Sequence, residues 1–167
     1  MKVKCEFDVL SFYYPYHKEL KKEVLNYLHN YQDKQNKSTN VKATMTEWNF
    51  TTPQIEKLKK FVYSNLIFFV SEECIKRAYF SDFWANIYNE GDYTVPHDHL
   101  TNCFSFVYFL QSKIYHSPLI FSDSKKRVVP KEGNFLIFSS SIVHEVPKHK
   151  HKENRITLAG NINFIRK

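Results

Sequence analysis

The chain has 167 residues, 43% of them hydrophobic and 17% aromatic, with a formal net charge of +7. That length suits one domain with a single core burying roughly 70% of the surface an unfolded chain exposes, and the composition excludes a disordered chain. The charge suits an anionic partner, but the lysines are spread along the chain without a K/R-rich block, so nucleic acid is admitted as a partner and not favoured.

In chain order, the first element is a segment of strand character from Val3 to Phe12. Pro15 follows, and then Leu20, Val24, Tyr27, Leu28 and Tyr31 recur at three- and four-residue spacing, which predicts an amphipathic helix from about Lys18 to Tyr31. Asp33 to Asn40 is polar and turn-like. After a short stretch around Trp48, Thr51-Thr52-Pro53 opens a second helix, with Thr52 as N-cap and Pro53 at the first helical position, running to about Ile75. The longest apolar run, Leu66 to Val70, is too short to span a bilayer, and no leader pattern precedes the first apolar segment, so no membrane association is expected.

Beyond Tyr79 the character changes. Short aromatic and β-branched segments alternate with turn signals, which predicts strands at Tyr79–Tyr88, Cys103–Leu110, Pro118–Phe121, Arg127–Val129, Phe135–Phe138, Ile142–Val146 and Arg155–Phe164. The expectation is a mainly β fold with flanking helices, a sandwich or jelly roll. Residues 1–78 form a helical support, and 79–167 the β core of one domain. Gly133 belongs to the turn entering Phe135–Phe138. Lys148 to Lys152, where His149 and His151 alternate with lysine, reads as an exposed loop. Cys5, Cys74 and Cys103 have no C-x-x-C spacing, which argues against a disulfide framework or structural zinc and for a reduced, cytoplasmic setting.

The candidate chemistry begins at Pro96-His97-Asp98-His99, just after the turn signal Asn89-Glu90-Gly91-Asp92. Histidines at i and i+2 of an extended chain project from one face and suit a common metal, whereas Asp98 points the other way. His144 lies in an apolar strand, where a satisfied core histidine is the default. Farther on, Arg155 and Thr157 share a strand face. The guanidinium fork and the hydroxyl suit a carboxylate, with a surface pair to Glu153 as the bland alternative.

The ordered set Trp84-x-Asn86, Gly91, His97-x-His99, Ser105-x-x-Tyr108, Pro130-x-x-Gly133-Asn134-x-Leu136-x-Phe138, His144-x-Val146 and Arg155-x-Thr157 with Asn161 resembles the 2-oxoglutarate- and Fe(II)-dependent oxygenase superfamily, in its small branch carrying H-x-H. The resemblance covers about half the chain, from Trp84 to Asn163. It implies a double-stranded β-helix of cupin-like form, with two amino-terminal helices packed on the sheet. His97, His99 and His144 would bind iron, and Arg155 with Thr157 would receive the distal carboxylate of 2-oxoglutarate. Tyr108 and Asn86 would line the pocket. With O2 as co-reactant, the implied activity is hydroxylation of a small molecule or of a peptide side chain such as prolyl, with release of succinate and CO2.

Two departures stand out. Most of the superfamily has H-x-D, so His99 occupies the acid position and leaves the site one unit more positive. Phe106 and Phe109 stand where the branch usually has Gly and Tyr. Two alternatives remain open at this point: a three-histidine cupin-like dioxygenase that uses no 2-oxoglutarate, and a non-catalytic basic jelly-roll binding module.

Overall fold

The structure is a computed structural model that describes residues 6–29, 31 and 39–165. Its elements in chain order are β1 (Val9–Tyr13), α1 (His17–His29), β2 (Val41–Lys42), β3 (Thr44–Met45), α2 (Pro53–Asn65), a 3-10 turn (Leu66–Phe68), α3 (Glu72–Ile75), β4 (Ala78–Tyr88), β5 (Tyr93–His97), β6 (Phe104–Gln111), β7 (Leu119–Phe121), β8 (Lys126–Val128), β9 (Asn134–Ser139), β10 (His144–Val146) and β11 (Arg155–Phe164). Val3 to Cys5 of the expected first strand, and residues 33–38 of the expected turn, lie outside the described residues.

Two antiparallel sheets face each other as a jelly roll. The larger has the order β1-β9-β6-β11-β4-β3 and the smaller β2-β5-β10-β7-β8. The larger sheet is buried on both faces, which is why its central strands read as nearly continuous apolar runs. Side chains alternate along it, with register shifts at Ile156/Thr157 and Asn161/Ile162 of β11. Phe83 and Ala85 of β4, Phe106 and Tyr108 of β6, Phe135 and Ile137 of β9, and Ile156 and Leu158 of β11 face the helices. Their neighbours Trp84, Val107, Phe109, Leu136, Phe138 and Ala159 face the smaller sheet.

Helices α1 and α2 cover the outer face through Leu20, Val24, Ile55, Leu58 and Val62, all fully buried. Each such side chain contributes about 1.5–3 kcal/mol of hydrophobic stabilisation. Thr52 caps α2 by accepting from Ile55 N–H, with Pro53 in the first turn, and Glu23 Oε1 of α1 accepts from Gln54 N–H at 3.0 Å.

The second helix stops ten residues short of the expected Ile75. Ser64 Oγ and Asn65 Nδ2 both donate to Phe61 O at 2.8 Å, competing with the backbone for that carbonyl. The following residues then turn Leu66 and Phe69 onto the core, Phe69 against Phe104. The amino-terminal part is also more than a helical support: β1 and β3 form the two edges of the larger sheet, and β2 an edge of the smaller.

Gly133 stands at φ +82°, in the turn before β9. A Cβ there would come within 2.5 Å of the Tyr13 ring, so this position requires glycine on two counts. The loop from Lys148 to Lys152 exposes its lysines as expected. His149 within it is only 1% exposed, because alternation along an extended chain sends it inward while its neighbours face water. No helix among the described residues is long and apolar enough to cross a membrane.

Candidate metal centre and its cleft

The histidine cluster is assembled by strand pairing. β5 and β10 run antiparallel with His97 directly opposite His144. The chain leaves β5 after His97, and Asp98 turns it by accepting the Leu100 N–H on Oδ1 at 3.1 Å. His99 N–H is then anchored to Ser140 O at 2.9 Å, which returns the His99 ring to the side His97 occupies. Asp98 stays exposed, so it cannot supply the acid that His99 replaces.

The tautomers follow from the partners. His97 Nδ1 lies 2.8 Å from Val95 O and His144 Nδ1 lies 2.9 Å from Ile142 O. A carbonyl only accepts, so both Nδ1 atoms carry hydrogen and both Nε2 atoms present lone pairs. His97 Nε2 stands 3.2 Å from His99 Nε2. The ligand atoms of His97, His99 and His144 all lie within 4.8 Å of one another, the one such His, Cys, Asp or Glu group among the described residues.

Nitrogens bound at about 2.1 Å and at right angles to a common ion would stand about 3.0 Å apart, close to the 3.2 Å between His97 Nε2 and His99 Nε2, and the ligand atom of His144 completes the group within 4.8 Å. Burial pushes the imidazoles well below the ordinary histidine range, His144 to about 3 and His99 to about 4, with the charge of His97 adding to the effect on each. They are therefore neutral at neutral pH, the state a metal ligand needs. The backbone carbonyls behind His97 and His144 hold ring orientation in the manner of an outer shell.

Arg155 faces the same cleft. It is 1% exposed, and its Nε, Nη1 and Nη2 have no hydrogen-bond partner among the described residues. Its guanidinium carbon lies 4.7 Å from the Tyr88 ring centroid and 5.7 Å from that of Phe109. The Tyr88 hydroxyl pairs with Thr94 Oγ1 at 2.7 Å and closes no hydrogen bond to the guanidinium. Burial lowers the Arg155 pKa, which the proximity of Tyr88 partly offsets, and a guanidinium stays charged even so. A buried cation without acceptors costs several kcal/mol, so the arrangement calls for an anion.

One cleft is lined by His97, His99 and His144 and by the more deeply buried Arg155, Thr157 and Asn86, with Trp84 and Tyr88 as apolar wall. Register explains the grouping: Arg155 pairs with Tyr88 and Thr157 with Asn86 across β11 and β4, so all four side chains leave the same face. Asn86 Oδ1 accepts from Trp84 Nε1–H at 3.0 Å, and its Nδ2 donates to Thr157 Oγ1 at 3.4 Å.

Tyr108 is a correction. It does not line the cleft but lies on the opposite face of β6, where its hydroxyl meets His17 Nδ1 at 2.7 Å beneath α1. A strand side chain with odd-numbered neighbours facing inward must face outward. Phe109 is the cleft-side residue. Tyr88 and Thr94 went unnoticed in the sequence, although the two-residue spacing from Trp84 and Asn86 was the signal that finds Tyr88.

The fold and cleft define a class, the jelly roll found in 2-oxoglutarate-Fe(II) oxygenases of known structure. A viral collagen prolyl hydroxylase from Paramecium Bursaria Chlorella virus-1, in complex with 2-oxoglutarate, superposes with a TM-score of 0.68 at 16% identity, over 94% of this chain and 96% of that one. HygX from Streptomyces hygroscopicus, with nickel and 2-oxoglutarate bound, gives 0.68 at 8% identity over 94% and 83%. A prolyl hydroxylase from Trichoplax adhaerens, in complex with a hypoxia inducible factor peptide fragment, gives 0.65 at 18% over 93% and 83%. At these identities the likeness establishes the fold. No family model and no curated protein matches the sequence.

Proposed function

We propose that the protein is an Fe(II)- and 2-oxoglutarate-dependent dioxygenase that hydroxylates its substrate. The observation that carries this reading is the meeting, in one cleft, of three neutral imidazoles and a buried guanidinium with no acceptor of its own. His97, His99 and His144 hold the iron. Arg155 receives the distal carboxylate of 2-oxoglutarate as a bidentate fork, and Thr157 Oγ1, positioned by Asn86, adds a hydroxyl beside it.

The iron, when bound, supplies the O2 chemistry by which R–H, O2 and 2-oxoglutarate become R–OH, succinate and CO2. The chain's own contribution is to orient and to exclude water. The guanidinium lies against the rings of Tyr88 and Phe109, and Phe138 packs edge-on against the His144 ring at 5.0 Å. The 2-oxoglutarate carried by two proteins of this fold supports the cosubstrate, and the peptide carried by a third supports a peptide among the substrates. We place the protein in the cytoplasm, in keeping with the free thiols of Cys74 and Cys103.

The three-imidazole set favours a second reading, a dioxygenase that uses no 2-oxoglutarate and in which Arg155 binds the substrate's own carboxylate. Anaerobic titration of the metal-free protein with Fe(II) and then 2-oxoglutarate separates the two. The expected result is a weak visible charge-transfer band, lost in Arg155→Ala, with succinate formed on admitting O2. Iron binding without the band or succinate selects the second reading, and no iron binding ends both and leaves a basic binding module.

A further inference from the structure

The cleft opens past His97 and His99 into a second depression, walled by Trp48, Trp84, Asp82 and Asn161. These two tryptophans are the chain's only ones. Trp48 is 40% exposed, yet it is held edge-on against the buried Trp84, with ring centroids 4.7 Å apart and planes at 67°. Trp84 directs its N–H to Asn86, so its donor is already committed and what it offers the depression is apolar ring. Two indoles near a right angle make an aromatic corner of electron-rich surface.

Asp82 stands beside that corner, two residues before Trp84 on the same face of β4. Asn161 Nδ2 and Ser81 Oγ both donate to its Oδ2, at 3.1 and 3.0 Å, which leaves Oδ1 unclaimed among the described residues. A carboxylate only accepts, so the Asn161 amide is oriented with Nδ2 toward Asp82 and Oδ1 away. That Oδ1 is buried and has no partner among the described residues, in a residue 5% exposed. Among the described residues no lysine or arginine lines the depression.

An aromatic corner, a half-claimed carboxylate and an orphaned amide oxygen share one complement, an organic cation with N–H donors. We infer that the substrate presents an alkylammonium or guanidinium group, the chemistry of lysyl and arginyl side chains, seated on Trp48 and Trp84 and paired with Asp82 beside the metal centre. The net charge of +7 does not oppose this locally, since charges beyond about 8 Å are screened at physiological salt while Asp82 would be in contact. A prolyl ring would use the indole faces and leave Asp82 and Asn161 without partners. That the bound cation is then hydroxylated rests on the oxygenase reading; that it binds does not.

Because both tryptophans wall this depression, intrinsic tryptophan fluorescence of the full chain reads it directly. Titration with N-acetyl-lysine amide and with a lysine-containing peptide is expected to give a saturable change. The ε-acetylated peptide and a proline-containing peptide should bind at least tenfold more weakly. Asp82→Asn should weaken the lysyl probes tenfold or more, and Trp48→Ala, on an exposed ring, tests the same contact should Asp82→Asn misfold. Arg155→Ala should keep the response while losing the 2-oxoglutarate band, so failure of the cosubstrate reading is seen separately. Response to the peptide and not to the free amide identifies the cation as peptide-borne, and response to both as a side chain recognised by itself. Equal binding of the acetylated or prolyl peptide, or an unchanged affinity in both variants, overturns the inference.

Discussion

Six of the chain's eight histidines stand in two groups of three, and the groups commit their nitrogens differently. In His97, His99 and His144, two rings donate Nδ1–H to carbonyls two residues back on their own chain, and Nε2 is left to converge on a point in the cleft. In His116, His149 and His151 the ring centroids are as near, 4.7 to 5.7 Å apart. There, however, His116 Nδ1 accepts from Lys113 N–H and His149 Nε2–H donates to Glu153 O, so each of these nitrogens closes a turn within its own loop. Among the described residues His116 Nε2 and His149 Nδ1 are left buried without partners, and the group does not gather three ligand atoms within 4.8 Å. Ring proximity alone does not make a metal centre. The groups behind the rings decide which lone pairs are left to converge.

The largest effect that tests this contrast is on iron. His144→Ala should weaken Fe(II) binding by more than about 100-fold, beyond the loss of an outer-shell partner, whereas His149→Ala should leave it unchanged. Anaerobic calorimetric titration of both variants checks this, and equal losses would erase the distinction.

Next in size is Arg155, the buried cation between these two groups. Arg155→Met removes an uncompensated charge and keeps much of the volume, so the protein without ligand should gain about 1–3 kcal/mol in urea unfolding. The stabilisation that 2-oxoglutarate confers on the parent should vanish in the same variant.

The second group should show itself in acid. Burial holds His116 down to about 4, with neighbouring His149, His151 and Arg155 adding to the effect, against an ordinary value of 6.5. Above pH 6.5 the group is neutral folded and unfolded and stability is full. As pH falls from 6.5 toward 4 the unfolded chain takes up a proton that the folded one refuses, so stability is lost across that window. His116→Gln should make the decline shallower by one proton, measured as unfolding midpoint against pH at saturating metal, where His97, His99 and His144 are withheld from titration.

The smallest effect belongs to a histidine outside both groups. Tyr108→Phe removes the hydroxyl that meets His17 beneath α1 and should cost about 1 kcal/mol in stability, with Fe(II) and 2-oxoglutarate binding unaltered. A loss of cosubstrate affinity would return Tyr108 to the cleft.

Much of this is legible in the sequence. The strands around Trp84, Val107, Leu136 and Leu158 announce themselves because a sheet buried on both faces leaves no polar alternation to obscure. The candidacy of His97 and His99 rests on a two-residue spacing that any extended chain converts into a shared face. Thr52-Pro53 marks its helix start because capping is local. Other features depend on partners distant in the chain. Tyr108 faces the helices because of which sheet face α1 and α2 cover, and α2 gives way after Asn65 because Leu66 and Phe69 turn to the core.

What the sequence determined by itself is therefore the periodicity: which side chains share a face, where helices can start, and which residue types are available as ligands. Only the tertiary structure decided which faces meet. The pairing of His144 with His97, the packing of Arg155 against Tyr88 and Phe109, and the aromatic corner of Trp48 and Trp84 each join segments far apart in the chain. Such contacts form only when two sheets close on a common core, and no local pattern encodes their partners.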